Sequence, residues 1–478
     1  MERKTQRIVA VGVISVIVVA SVIGVVVVMN LPTGTVNPYS YPGLDTKPSL
    51  SKTIKIGLLD DLATTGFHSE KGMILAATEI NVGGGVDIDG ETYYIGVVAE
   101  DTNEAYYNYE KGIAAALKMV GYDPDVVIGG FRTEVLSVYI DEIMDAHIPF
   151  IITGSATKAF CDNVGSAYSY WKYLFRVMPH NNERLGQNVG RQLSEIILPN
   201  ISDYKFGGAP IDNVWIVYED LQWTTAVKDS VVQTLNDSFP SYLGYDNITL
   251  KPLATSTDST AMGALWDQIK ASGTPIVVPI LSDGTLGVLF GKYYGLKQPD
   301  AIVCGINVAA QDMGYMANTQ GGGLYEITSG GSMRCNFTSD SIAFMDNYRA
   351  IAYGLDPLYT ATGSYDAINL IKNRVEECDS LVAADLIASL EKVNLTNPWQ
   401  GVTQKIAFDS QHDCIADTGS VATDGMRTNI YRQWQQNSTT GADAGVCPLT
   451  PSVNMDGNYF VNLRPSNETA WLLYPDWW

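Results

Sequence analysis

Residues Ile128–Glu134 read IGGFRTE. An apolar run, DVVIGG, ends here on two glycines. A Phe, an Arg and a Thr then lead into the amphipathic stretch VLSVYIDEIMDA. The apolar run has the length of a buried strand, and the stretch after it has helical spacing. In an open parallel α/β sheet, ligands bind where a strand ends and a helix begins. A cation and a hydroxyl stand at that place here, so the flanking chain must be read for such a sheet.

Upstream, IKIGLL (Ile54–Leu59) reads as a strand. EKGMILAATEIN (Glu70–Asn81) reads as a helix, with Met73, Ile74, Ala77 and Ile80 near helical spacing. VGGG (Val82–Gly85) ends it as a glycine-rich C-cap. TYYIGVVAED is the next strand and YNYEKGIAAALKMVG the next helix; IPFIITG follows the IGGFRTE unit. A second series begins after LFRVMPH (Leu174–His180) with RLGQNVGRQLSEIILP, DNVWIVYED and TAVKDSVVQTLNDS. It continues through TPIVVPILSDG, LGVLFGKYYG and AIVCGIN. Strands alternating with helices imply parallel βαβ units, so two similar α/β series stand end to end. The chain returns with helices SIAFMDNYRAIAYG and YDAINLIKNRVEEC and closes on strand-like QKIAFD and RTNIYRQWQQ. GGG (Gly83–Gly85) and QGGG (Gln320–Gly323) lack phosphate-loop spacing, which argues against a nucleotide.

The chain has 478 residues and a formal net charge of −22. Nucleic-acid binding needs clustered Lys and Arg, so this balance argues against it. A basic leader with Arg3, Lys4 and Arg7 precedes the uncharged, Val- and Ile-rich run Ile8–Met29. That run is long enough to span a bilayer as a helix. It is longer than a secretory h-region and no A-x-A site follows it. An N-terminal anchor over residues 1–31 is therefore favoured over a cleaved signal, with the rest of the chain outside the cell membrane. Residues 32–52 (PTGTVNPYSYPGLDTKPSLSK, Pro32–Lys52, after Leu31) read as a stalk. Cysteines 161, 304, 335, 378, 414 and 447 form no C-x-x-C pair. Their even number permits disulfides, and buried free thiols are the other reading. Sequons at Asn200, Asn236, Asn247, Asn336, Asn394, Asn437 and Asn467 give weak support to a glycosylated exterior.

Taken in order, IKIGLLDDLATTGFHSEKGMILAATEIN, VVAEDTNEAYYNYEKGIAAALKMV, VVIGG, IPFIITGSATKAF and LFRVMP carry a resemblance. The chain resembles the branched-chain-amino-acid-type solute-binding proteins of ABC importers, with the type I periplasmic-binding-protein fold, over Thr53–Gln436. The resemblance implies an α/β protein of two doubly wound parallel-sheet lobes, here behind a transmembrane anchor helix. It implies crossovers near LFRVMP, GLYEITSGG and QKIAFD. Lobe one would hold 53–176 plus 331–404, and lobe two 177–330 plus 405–478. Closure of the lobes on a solute is the expected motion.

The resemblance also places the cleft. Thr133 matches the hydroxyl residue that holds a ligand carboxylate, unless it only caps its helix. Arg132 is a second anion group, or a solvent-facing neighbour. Ser155, Ala156 and Thr157 in TGSAT match the turn that supplies donors and a backbone carbonyl, and free amides at helix starts suit an anion. Phe67, in a loop that departs from the family's proline-containing form, is a candidate wall of the side-chain pocket. In lobe two Trp223 matches an aromatic that closes over the ligand, with Ser282 and Asp283 at another strand end. Asn307 stands near where many members carry an acid for the ligand ammonium. That departure leaves Asp283, Asp312 or Glu219 as substitutes, or a solute that is an amide, a urea-like compound or another organic acid. Branched-chain amino acids are the favoured class, an ABC permease the expected partner, and no cofactor or metal is expected.

An enzyme needs a constellation that is missing. The four His (68, 147, 180 and 412) form no H-E-x-x-H, there is no G-x-S-x-G, and Asp60 and Asp61 would point to opposite faces of a strand. A sensory ectodomain of the same fold and a structural surface protein are the competing readings. The short leader before the apolar run favours a tethered transporter subunit. The tail Val446–Trp478 is expected to pack on lobe two.

Overall fold

A computed structural model describes residues 37–206, 211, 213–238, 247–331, 333–334, 336–418, 420–423, 425–436, 444–450, 475 and 477. The anchor expected over 1–31 lies outside the described residues. Among the described residues no helix is long and apolar enough to cross a membrane. Residues 37–39 belong to an N-terminal unit, in which the Tyr39 amide donates to Asn37 Oδ1 at 2.9 Å. All that follows concerns the unit Ser40–Trp478.

Two sheets organise this unit. The first contains β1 (Thr53–Asp60), β2 (Val86–Ile88), β3 (Glu91–Asp101), β4 (Val126–Gly129), β5 (Phe150–Ile152) and β6 (Leu174–Arg176), in the order β2-β3-β1-β4-β5-β6. All its pairings are parallel except β2 with β3. The second is built on β7 (Val214–Glu219), β8 (Ile248–Leu253), β9 (Ile276–Leu281), β10 (Ile302–Asn307) and β11 (Ile327–Gly330). A two-stranded ladder, β12 (Trp399–Gln400) with β13 (Lys405–Ile406), stands apart. The chain then adds β14 (Ile430–Gln436) and β15 (Ala444–Thr450), both antiparallel, to the second sheet's edge, giving β15-β14-β11-β10-β9-β7-β8. Strands β4, β5, β9 and β10 are buried at every residue. Parallel strands covered by helices on both faces must be continuously apolar, which is why DVVIG and TPIVVPIL show no alternation.

Each sheet has one topological switch. The chain runs from β1 to β3 on one side and then to β4 on the other; in the second sheet it runs from β7 to β8 and then to β9. The crevice beyond the carboxyl ends of β1 and β4, and of β7 and β9, is where such sheets bind ligands.

The returning helices Tyr359–Cys378 and Ala383–Leu390 bury Ile368, Leu370, Ile371, Val375, Leu386 and Leu390 in the core of the first sheet. Two expectations change. Ile406, Phe408 and Cys414 lie in that same core, and the chain joins the second sheet only at Ile430. The boundary at 405 is therefore too early, because the apolar residues of QKIAFD are claimed by lobe one. The stalk is also shorter than read. Ser40 and Val97 exchange backbone hydrogen bonds of 2.9 and 2.8 Å, covering the β3 edge beyond β2, and Tyr41 is buried with its hydroxyl 2.9 Å from Thr53 Oγ1. A bare sheet edge invites pairing, and this segment supplies it. Of the tail, β15 pairs with β14, and the Trp477 indole donates to the Pro299 carbonyl at 3.0 Å. Cys161, Cys304, Cys378 and Cys414 are free thiols.

Candidate functional site

The IGGFRTE turn closes the switch of the first sheet. Gly129 has φ +126° and a Cβ there would stand 2.0 Å from the Leu59 carbonyl oxygen, so only glycine lets β4 end this close to β1. Gly130, at φ +75°, completes the turn. Beneath it lies Glu104, fully buried in the short helical turn Glu104–Tyr106. One carboxylate oxygen accepts the amides of Phe131 (2.9 Å) and Arg132, and the other accepts the hydroxyls of Thr102 (3.0 Å) and Tyr139 (3.2 Å). Burial raises the Glu104 pKa above the usual carboxylate range and the nearby Asp60 adds to the rise; the donors oppose it. The amides of Phe131 and Arg132 are thus taken. Those of Thr133 and Glu134, at the start of the helix Thr133–Asp145, have no acceptor among the described residues.

The second sheet repeats this device. Glu219, buried at the end of β7, accepts the Ser282 hydroxyl at 2.6 Å and the Asp283 amide, and burial raises its pKa too. Asp283 caps the helix Gly284–Lys297 by accepting the amides of Thr285 (2.8 Å) and Leu286 (3.0 Å) with Oδ1. Its other oxygen lies 3.3 Å from Arg132 Nη2. The two switches are thereby joined across the lobes. Glu134 makes a second link, since its Oε1 accepts the Gln222 amide at 3.3 Å.

Between them lies a cavity of about 70 Å³. At roughly 10–15 Å³ for each water, that is room for a small solute of about five waters. Arg132, Thr133, Ala156, Trp223 and Ser282 line it, as does Glu134. Segments on the crossovers, Met178–His180, Ser329–Gly331 and Arg427–Asn429, line it as well. Ser155 and Thr157 stand behind Thr133, whose hydroxyl meets theirs. The helix N-cap is Arg132 without a side-chain cap bond, so Thr133 does not cap.

Several expected roles are corrected. The carbonyls of the TGSAT turn are spent internally: Gly154 on the Tyr359 hydroxyl (3.0 Å), Ser155 and Thr157 on Arg176 (2.9 and 3.0 Å), Ala156 on the Asn182 amide (2.6 Å). Asn307 is fully buried and points away from the cavity. Its Nδ2 donates to Glu326 Oε1 at 2.8 Å, the Tyr315 hydroxyl at 3.2 Å and the Gly287 carbonyl at 3.2 Å. Phe67 does not line the cavity either; its ring stacks on Tyr353 at 6.4 Å and meets His68 edge-on at 5.3 Å. Sequence reasoning also missed Glu134. Its Oε2 is buried at the cavity wall without a hydrogen-bond partner among the described residues. The signal was present, as the next residue of the quoted turn.

Two doubly wound lobes, joined by three crossovers around a solute-sized cavity, define a two-lobe binding protein. The model of the family described as "Periplasmic binding protein" matches residues 53–421, and the chain belongs to that family. Solved structures agree in fold. An ABC transporter substrate-binding protein from Sphaerobacter thermophilus superposes with a TM-score of 0.64 at 15% identity, covering 84% of this chain and 98% of that one. The branched-chain amino acid transporter substrate-binding protein LivJ from Streptococcus pneumoniae, in complex with isoleucine, gives 0.61 at 18%, covering 83% and 100%. A solute-binding protein of an ABC transporter from Rhodopseudomonas palustris HaA2, in complex with p-hydroxybenzoic acid, gives 0.63 at 16%, covering 84% and 98%. No curated protein matches in sequence.

Proposed function

We propose that this protein captures a small carboxylate-bearing solute, an α-amino acid in the first instance, between its lobes and delivers it to the permease of an ABC importer. The binding lobes stand outside the cell, tethered by the apolar segment Ile8–Met29. One observation carries the solute class. A single helix start holds a guanidinium, two amides and, at Glu134, a carboxylate oxygen, the amides and that oxygen without partners among the described residues. Cation and amides suit a carboxylate; the carboxylate suits an ammonium. The two relatives named with solutes hold isoleucine and p-hydroxybenzoic acid, which share a carboxylate. The apolar wall of Phe131, Met178, Leu185, Ile306 and Val308 accommodates an aliphatic or aromatic frame.

The test is the melting temperature of the full chain in detergent against amino acids, amides, urea compounds, organic acids and sugars. A solute at a hundred times its Kd adds about 2.7 kcal/mol, a rise of a few degrees. A rise with amino acids is the expected result. A rise confined to sugars or urea compounds would overturn the carboxylate reading.

A further inference from the structure

The cavity has a second polar wall, built by residues beyond the strand-end turns. His180 lies in the first crossover, after β6, and Gln311 follows β10; both line the cavity. His180 is 2% exposed, and neither ring nitrogen has a hydrogen-bond partner among the described residues. The Arg427 carbonyl stands beside the imidazole and can take its N–H, which leaves the other ring nitrogen bare. Gln311 Oε1 is likewise buried without a partner among the described residues. Buried polar atoms are nearly always paired, and an orphan is destabilising. This wall is missing a partner that the described residues do not supply.

Its chemistry narrows that partner. Burial, with the Arg427 guanidinium adding to it, holds the imidazole down to about 4, so the ring is neutral near pH 7. A neutral imidazole has one N–H and one bare nitrogen, and the bare nitrogen can only accept. Arg427 is engaged by the buried Asp366 carboxylate, so this wall offers no uncompensated charge to an anion. Two acceptors, His180 and Gln311, therefore stand in this wall, and the donors Trp223 Nε1 and Arg427 Nε and Nη1 line the same cavity without partners among the described residues.

We propose that His180 is a specificity-determining residue that accepts a hydrogen bond from a hydroxyl or amide N–H on the solute's side chain. The solute is then a carboxylic acid with an apolar frame and a donor beyond it. This rests on the capture of a carboxylate-bearing solute proposed above. It sets the solute apart from leucine, isoleucine and valine, which carry no side-chain donor. A trapped water is the rival partner for the imidazole, and it predicts no preference for a donor.

The experiment is calorimetric titration of the full chain with near-isosteric pairs: valine and threonine, leucine and asparagine, phenylalanine and tyrosine, benzoate and 4-hydroxybenzoate. The expected result is a pair in which the donor-bearing member binds at least about tenfold tighter, because a site built to bond a hydroxyl rejects the analogue without it. His180→Phe should cut that preference to below about threefold while the apolar member binds as well or better. Apolar members binding equally or more tightly in every pair would overturn the proposal, as would an unchanged preference in the variant. Should His180→Phe fail to fold, His180→Leu, which also lacks an acceptor, and the wild-type preference decide in its place. If folded wild-type protein binds no member of any pair, the capture reading itself fails and takes this proposal with it; binding without preference defeats the proposal alone.

Discussion

Arg132 of lobe one reaches across the cavity to Asp283 of lobe two, with Nη2 3.3 Å from Oδ2. Each residue follows the strand that lies across the switch of its own sheet, and each is held from below by a buried glutamate. The pair therefore joins the two points at which the two sheets are open to a ligand.

Arg132 and Asp283 should separate on mutation. Arg132→Ala removes a buried guanidinium from the solute's carboxylate. A hydrogen bond to a charged group contributes about 1.5–3 kcal/mol, so affinity should fall by roughly ten- to a hundredfold in calorimetry. Asp283→Asn keeps the helix cap and removes only a partly exposed ion pair, worth at most about 1 kcal/mol. Its affinity should change by less than about fivefold. Equal effects would mean that Arg132 serves the lobe contact and not the solute.

Glu134 is the residue on which the amino-acid reading turns. Glu134→Gln keeps the size of the side chain and removes the charge that an ammonium would meet. Amino acids should lose at least about tenfold in affinity, within the range of a charged hydrogen bond. Acids without an ammonium should bind as before or more tightly. If both classes respond alike, Glu134 only bridges to Gln222.

The pH dependence of stability should carry the mark of Glu326. Burial pushes this carboxyl up to about 7 from its ordinary 4.5. Between these values the unfolded chain has released the proton and the folded chain retains it. The unfolded state then binds fewer protons, so stability is fullest below pH 4.5 and falls as pH rises through 7. The loss from this group is on the order of 3 kcal/mol. Half-buried Asp125, pushed up to about 6, adds a loss of the same sign. Urea midpoints at pH 5 and pH 8 should differ less in Glu326→Gln than in wild type. An equal difference would show that Glu326 does not titrate in this range.

Strand ends were legible in the sequence because a glycine- or polar-terminated apolar run before a helix has few other meanings. Arg132, Ser282 and Asp283 follow such runs, while Thr133 and Trp223 came with the resemblance; all five stand at the cavity or its mouth. What a strand end does not reveal is where its side chain points. Asn307 ends β10 as read, yet turns inward because Glu326 and Tyr315 offer it partners. Glu104 carries no periodic signal at all, and its role exists only once the chain folds it under β4. The stalk misled for a related reason: Pro and Gly mark irregular backbone, but a buried Tyr41 decides whether that backbone packs.

The last prediction concerns the tie behind the TGSAT turn. Arg176 is fully buried; its Nε lies 2.8 Å from Asp413 Oδ1, and its guanidinium also donates to the Ser155 and Thr157 carbonyls. Asn181 donates to Asp413 Oδ2 at 3.0 Å, so the first crossover joins the same cluster. Asp413→Ala leaves a buried guanidinium without its counter-charge and should cost about 3–5 kcal/mol. Replacing both partners, Arg176→Met with Asp413→Leu, removes the orphan charge and should recover much of that loss. It should not recover affinity, because the turn behind Thr133 would still lack its tether. Denaturant midpoints and solute Kd values for the single and double variants should therefore part company. If the double variant restored both together, the pair would be a stability element with no part in positioning the site.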